Sequence, residues 1–309
     1  MSQHIAVDIG GTQLRAASYA SDSLTPLKLA RTSTRDPHLT PLERLQDLIA
    51  SIWPEDKEVA AIGVAAPGPI DPYHGVIYAA PNIPGWNNMP LRQILEDSFH
   101  VPVVLGNDAN LAALGEWQYG AGQGHHYLVF LTVSTGIGGG VIVDDRLLLG
   151  SRGLATELGH ITVLPGGPLC GCGQSGHLEA LASGTAIARW VREELARGME
   201  STLPLHENLT GRMISQAAEK GDALARAALE RAGTFIGIAV ADFLHIFNPS
   251  VVIIGGGVAR SGPLLMDPLA AAMKAHALNP QYYADLTLTT AALGDEAGLL
   301  GALALARTK

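Results

Sequence analysis

The sequence predicts an α/β protein of two domains, built by duplicating a strand–glycine turn–strand unit, with a ligand between the halves. Three observations carry this reading. Residues 5–8 form a short apolar, β-branched run, Gly10-Gly11-Thr12 follow as a turn, and residues 14–19 resume a strand pattern. About half a chain later the order recurs: strand-like 127–133, the turn Ser134-Thr135-Gly136-Ile137-Gly138-Gly139-Gly140, then strand-like 141–143. Repetition of this kind marks a duplicated unit, and ligand sites favour the junction between domains. Elsewhere short apolar runs alternate with helical stretches, which argues for α/β layers.

The remaining elements follow in order. Residues 60–64 read as a buried strand ending in Ala66-Pro67-Gly68-Pro69, and residues 101–105 as another ending in Gly106-Asn107-Asp108. Residues 109–119 are helical, and the cluster Gly120, Gly122, Gly124 marks passage to the second domain. The first domain is therefore expected over 1–118 with a returning C-terminal helix, 296–309, and the second over 119–295. Within the second, 183–196 and 213–232 are helical by composition and 236–247 is an apolar helix. Residues 251–254 form a strand that ends in Gly255-Gly256-Gly257, and Gly298 and Gly301 let the last helix pack closely.

With 309 residues and 47% hydrophobic content the chain can bury two cores. Acidic residues outnumber basic ones 29 to 20, a formal charge of −9, and no Lys/Arg cluster stands out. That speaks against nucleic-acid binding. No apolar run reaches a membrane span, and the first residues enter a strand without a signal peptide, so a soluble cytoplasmic protein is expected. The only cysteines, Cys170 and Cys172, are too close for a good mutual disulfide and read as reduced thiols or metal ligands.

Five motifs carry candidate chemistry. Asp8-Ile9-Gly10-Gly11-Thr12 is a strand-end turn whose amides and hydroxyl suit phosphate oxygens, with Asp8 on a Mg²⁺ or its waters; it also suits an ordinary hairpin. The loop Thr135-Gly136-Ile137-Gly138 superficially resembles a dinucleotide fingerprint, but β-branched residues follow it, not a helix. Gly255-Gly256-Gly257 lets a flat ring lie on backbone, or simply makes a tight turn. Asn107-Asp108 places a carboxylate where it can take a hydroxyl proton, and the pair equally suits a helix N-cap. The densest stretch holds Glu157, His160, Cys170, Cys172, His177 and Glu179. Two thiols and two imidazoles there match a closed, structural tetrahedral Zn²⁺ site. The two glutamates can bind sugar hydroxyls or lie on the surface.

Taken together, these motifs resemble the ROK family of sugar kinases and regulators, nearly end to end, from Asp8-Ile9-Gly10-Gly11-Thr12 to Gly294-Asp295-Glu296-Ala297-Gly298. The resemblance implies the two-domain actin-like ATPase (ribonuclease H-like) α/β fold with an interdomain cleft. It implies ATP-dependent phosphorylation of a free hexose, with ATP, Mg²⁺ and a structural Zn²⁺. By the same pattern Asp108 is the base and Asn107 lies beside it on the sugar. Glu157, His160 and Glu179 hold other hydroxyls, with Gly68 against the ring. Asp8, Gly10, Gly11, Thr12, Thr135, Gly136 and Gly138 surround phosphates, and Gly256 and Gly257 meet the adenosine. The metal ligands are His160, Cys170, Cys172 and His177, where His177 replaces the family's usual third cysteine. The stretch Ala79-Ala80-Pro81-Asn82-Ile83-Pro84-Gly85-Trp86 looks most like the branch acting on glucose and adds Asn82 to the sugar contacts. N-acetylmannosamine, fructose and N-acetylglucosamine are the alternative substrates, and a non-catalytic sugar-sensing regulator the alternative class. The resemblance also implies small-molecule sugar and ATP as partners, neither nucleic acid nor membrane, and a homodimer or homotetramer.

Overall fold

The structure, a computed structural model, describes residues 2–55, 58–80, 82–205 and 208–309; Pro81 of the glucose-branch stretch lies outside the described residues. The chain divides into two compact units. One comprises Met1–Gln123, Leu147–Thr156 and Asp295–Lys309, the other Gly124–Arg146 and Glu157–Gly294. Residues 119–123 and 147–156 thus group with the first unit, which differs from a division at 118/119.

The elements run β1 (Gln3–Ile9), β2 (Gln13–Ala20), β3 (Lys28–Ser33), α1 (Pro41–Ser51), β4 (Val59–Ala66), β5 (Ile70–Asp71), β6 (Val76–Ala79), β7 (Asn87–Met89), α2 (Leu91–Phe99), β8 (Val103–Asn107) and α3 (Asp108–Tyr119). Then come β9 (Leu128–Val133), β10 (Ile137–Val143), β11 (Arg146–Leu147), α4 (Leu178–Ala182), α5 (Gly184–Ala196), α6 (Gly211–Glu219), α7 (Ala223–Phe247), β12 (Val251–Gly255), α8 (Pro263–His276), β13 (Thr287–Thr290) and α9 (Ala297–Ala306).

The first unit's main sheet has the order β3-β2-β1-β4-β8, and the second's β11-β10-β9-β12-β13. In both, the central strand pairs antiparallel with the strand that follows it through the glycine turn, and parallel with the later strand beside it. The duplication expected from two glycine turns is therefore a repeat of whole-sheet topology. Central strands β1, β4, β9 and β12 are almost wholly buried, as sheets covered on both faces require.

Glycine decides how closely helices cover the first sheet. A Cβ on Gly63 of β4 would lie 1.9 Å from the Ala302 carbonyl oxygen of α9, and one on Gly301 of α9 would lie 1.7 Å from that of Leu111 in α3. Backbone meets backbone there, so α9 packs directly on the sheet and on α3, the helix that Asp108 begins.

Two sequence expectations need correction. The turn at 134–140 is shorter: Gly138, Gly139 and Gly140 already lie in β10, opposite Thr132, Leu131 and Phe130. A Cβ at Gly139 would come within 2.7 Å of Leu158, so packing explains this glycine inside a strand. The helices expected at 213–232 and 236–247 divide elsewhere. The break falls at Gly221, with φ +96°, and Asp222 caps α7, which continues unbroken to Phe247. Gly233 and Gly237 look like breakers in sequence, but they let α8 approach: their Cβ atoms would lie 2.5 and 2.3 Å from the Leu265 and Leu269 carbonyls.

Candidate functional site

In the first unit the turn after β1 is pinned by hydrogen bonds. Gly10 N–H donates to Gln13 O (2.9 Å), Thr34 N–H to Thr12 O (2.9 Å) and Thr34 Oγ1 to Gly10 O (2.6 Å). With its carbonyls engaged and Thr12 exposed, the turn can offer N–H groups and a hydroxyl to an anion. Gly11 packs on Asn82, whose Cβ would lie 2.6 Å from a Cβ at position 11.

Asp8 and Arg15 are direct cross-strand partners. The guanidinium donates through Nε (3.1 Å) and Nη2 to Asp8 Oδ2, through Nη1 to Glu296 Oε1 (3.3 Å) and through Nη2 to the Asp295 carbonyl (2.7 Å). Burial works against the Arg15 charge, but Asp8, Glu296 and Asp295 outweigh it and raise its pKa. Both Arg15 bonds to Asp8 fall on one oxygen, so Oδ1 can take a magnesium-bound water.

Asn107 ends β8 and caps α3: its Oδ1 accepts from Ala109 N–H (3.0 Å) and Asn110 N–H (3.2 Å), and its Nδ2 donates to Gly68 O (3.3 Å). The cap that sequence left open between two residues thus belongs to Asn107. Asp108 is the first helical residue and exposed, and its Oδ1 accepts the Ala109 N–H at 2.8 Å. Gly68 has φ +93°, and a Cβ there would strike the Ala79 carbonyl at 1.7 Å. Asn107, Asp108 and Gly68 are therefore brought together, and Gly11 and Asn82 form a second contact.

In the second unit the loop before β10 is held from α4 and α5. Gly184 N–H donates to Ser134 O (2.7 Å), Thr185 Oγ1 to Thr135 O (2.8 Å), and Ile137 N–H to Glu179 Oε2 (3.0 Å). Beside this loop opens a cavity of about 750 Å³, with Thr135 and Gly257 in its wall. Gly256 turns the chain there at φ +87°, where a Cβ would lie 2.3 Å from Val133 O. Arg192, Arg212 and Arg260 also line the cavity, so it suits an anionic ligand. Sequence reasoning missed these arginines, as well as Thr210 and Gln216. They come from α5, α6 and the turn after β12, and no local motif joins them.

The ligand atoms of His160, Cys170, Cys172 and His177 all lie within 4.8 Å of one another. Cys172 Sγ is 3.3 Å from His177 Nδ1, and Cys170 Sγ is 3.7 Å from His160 Nδ1. His160 closes a 3₁₀ turn, Leu158–His160, and Cys170 starts a tight loop in which its N–H donates to Gln174 O (2.7 Å). His177 is buried and stands at the N-cap of α4, so it is not an ordinary surface histidine. Burial, reinforced by the Cys172 thiol and Glu179 against the Cys172 amide, pushes the Cys170 thiol up to about 11. A thiolate at that position calls for a cation, and the S₂N₂ donor set fits zinc. Glu179 Oε1 sits 3.5 Å from Cys170 Sγ, so Glu179 and His160 flank the same sulfur. Glu157 is exposed, and its carbonyl accepts the His160 N–H (3.0 Å).

Comparison with known proteins gives a consistent answer. A glucokinase of Thermotoga maritima is 36% identical over 99% of this chain and 97% of its own length. The structure of a ROK hexokinase from Thermus thermophilus matches with TM-score 0.83 and 37% identity, covering 99% of this chain and 98% of that one. A ROK family glucokinase from Streptomyces griseus, in complex with glucose and AMPPNP, matches with TM-score 0.82 and 34% identity over the whole of both chains. The two α/β units have the actin-like ATPase fold of these sugar kinases. The family model described as ROK matches residues 4–309, and with motifs and sheets agreeing along that whole span, the chain belongs to the ROK family.

Proposed function

We infer that this protein is an ATP-dependent hexose kinase that transfers the γ-phosphate to the 6-hydroxyl of glucose. The observation that carries the reading is Asp108, exposed at the head of α3 with the capping Asn107 and Gly68 beside it. Full-length likeness to glucokinases, one of them in complex with glucose and AMPPNP, supports glucose and ATP as the substrates.

Asp108 accepts the proton of the sugar 6-hydroxyl as its oxygen attacks the γ-phosphorus. The new O–P bond forms as the bond to the β-phosphate bridging oxygen breaks, and ADP leaves with that electron pair. Asn107, Glu157, His160 and Glu179 orient the sugar, with Gly68 and Asn82 beside it. His160 turns Nδ1 toward Cys170, which leaves Nε2 for a hydroxyl. The turns at Gly10–Thr12 and at Thr135–Gly136 present amides and hydroxyls to phosphate oxygens, and Gly256 and Gly257 leave room for the adenosine. Gly138 follows the second turn as a residue of β10, opposite Thr132. Asp8 would hold magnesium, which would supply charge neutralisation on the phosphates, and positioning of this kind delivers most of the rate in phosphoryl transfer. Zinc on His160, Cys170, Cys172 and His177 supplies structure, since all four positions are filled by protein.

A turnover assay with Mg²⁺–ATP and a panel of free hexoses tests this. Glucose should give the highest kcat/KM, with glucose 6-phosphate as product. A higher value for N-acetylmannosamine, fructose or N-acetylglucosamine would overturn the choice of sugar and leave the kinase standing. Sugar binding without any phosphate transfer would favour a sensing regulator.

A further inference from the structure

We propose that Glu179 is a positioning residue that ties the second phosphate loop to the Cys/His cluster, so that metal occupancy and nucleotide affinity are linked without sugar. The proposal rests on the reading of residues 134–137 as a phosphate loop and adds a duty for Glu179 apart from the sugar.

The geometry is confined to the second unit. One carboxylate oxygen of Glu179, Oε2, accepts the Ile137 N–H at 3.0 Å. The other, Oε1, faces Cys170 Sγ at 3.5 Å. Position 136 records how close the carboxylate comes: a Cβ there would lie 2.4 Å from Glu179 Oε2. Gly136 is thus the residue that lets the carboxylate reach the loop's backbone.

The same segment holds the loop at three further places. Gly184 N–H donates to Ser134 O (2.7 Å), Thr185 N–H to Thr135 O (3.4 Å) and Thr185 Oγ1 to Thr135 O (2.8 Å). All three groups stand at the start of α5, directly after α4. The candidate ligand His177 occupies the N-cap position of α4, and its neighbour Leu178 donates to Ile161 O (3.0 Å) next to His160. A continuous path therefore runs from the ligand atoms through one turn of helix to the loop. Its polar link is a carboxylate accepting from a backbone amide, the stronger class of hydrogen bond.

The cluster sets the position of α4, and the carboxylate converts that position into the orientation of the Thr135–Ile137 amides. An amide that must be reordered before binding reduces the apparent affinity in proportion to the fraction of time it is correctly placed. Released ligands free α4, and the first loss falls on phosphate binding in the empty enzyme. A glutamate that only touched sugar would have no such effect.

The experiment uses the full chain with its metal content verified, and measures affinity for AMPPNP with Mg²⁺ and no sugar. Glu179→Ala should weaken AMPPNP about tenfold, the scale of one hydrogen bond to a charged group. Glu179→Gln, which keeps a carbonyl acceptor for Ile137 N–H, should recover most of that loss. Glu230→Gln, which changes an exposed carboxylate on α7 outside the site, should leave AMPPNP affinity as in wild type. Chelated wild type should behave like Glu179→Ala. Equal AMPPNP affinity in wild type, Glu179→Ala and chelated protein would overturn the proposal. Hydrogen exchange at the Ile137 amide is the second readout: protection should fall on chelation of wild type, and unchanged protection would sink the tether even if Glu179→Ala does not fold. Wild type that bound no AMPPNP would refute the kinase reading, and the Ile137 exchange would still decide the tether.

Discussion

Asp108 and Asp222 show how neighbours set what a carboxylate does. Asp108 is exposed at the head of α3, beside the asparagine that caps the helix, and is proposed as the base. Asp108→Ala should lower turnover about 10²–10⁴-fold, the usual cost of losing a general base, with sugar affinity within an order of magnitude. Steady-state rates with a direct sugar-binding measurement check this, and retention of a tenth of wild-type turnover would remove Asp108 from the role. Asp222 is buried and caps α7. Burial alone would raise its pKa, but hydrogen bonds from Ala225, Thr202 and Ser201 outweigh it and bring the value to about 2. Because the folded value lies below the unfolded one, near 3.9, the carboxylate stabilises the fold above about pH 4. That stabilisation fades as pH falls from about 4 toward 2. The gap in melting temperature between wild type and Asp222→Asn should be largest above pH 4 and shrink on acidification; a gap independent of pH would refute the assignment.

At the scale of elements, glycines set the spacing between helix and sheet. Gly301 on α9 meets the Leu111 carbonyl of α3, so Gly301→Ala must push two backbones apart. A cost of about 1–3 kcal/mol is expected from denaturant unfolding, the range of forced overpacking. Gly257 is the contrast. Its φ is −64° and a Cβ there meets nothing within 4 Å, so Gly257→Ala should keep stability within about 0.5 kcal/mol. It lines the 750 Å³ cavity, so the same substitution should raise KM for ATP. A destabilised Gly257→Ala with unchanged KM would reverse the two assignments.

Across the whole molecule, two sheets of identical order carry the site residues, and the Cys/His cluster belongs to the second. No helix among the described residues is long and apolar enough to cross a membrane. Zinc should be present at about one per chain, and its retention should depend on pH because histidine ligands must be deprotonated. Acid should compete with zinc for these ligands and release it. His177→Cys should keep zinc to lower pH than His177→Ala, with wild type above the alanine variant. Elemental analysis after equilibration across pH tests this, and three superimposable curves would remove His177 from the site.

The duplicated α/β plan, the C-terminal helix and the cluster of thiols and imidazoles were legible in sequence. The plan and the cluster rest on local spacing: a strand is an apolar run, a turn needs glycine, and four candidate ligands within eighteen residues need only a short chain reversal to meet. The sequence also placed Asp108 at a strand-to-helix junction, though not which of two neighbours would be the cap. Tertiary structure alone assigned Gly233 and Gly237 to the approach of α8 and not to a helix break. It alone joined Arg192, Arg212 and Arg260 around one cavity and set Arg15 between Asp8 and Glu296. These depend on contacts between residues tens to hundreds of positions apart. A glycine or an arginine looks the same in sequence whether its partner is solvent, a helix backbone or a ligand, and only the packing of distant elements distinguishes them.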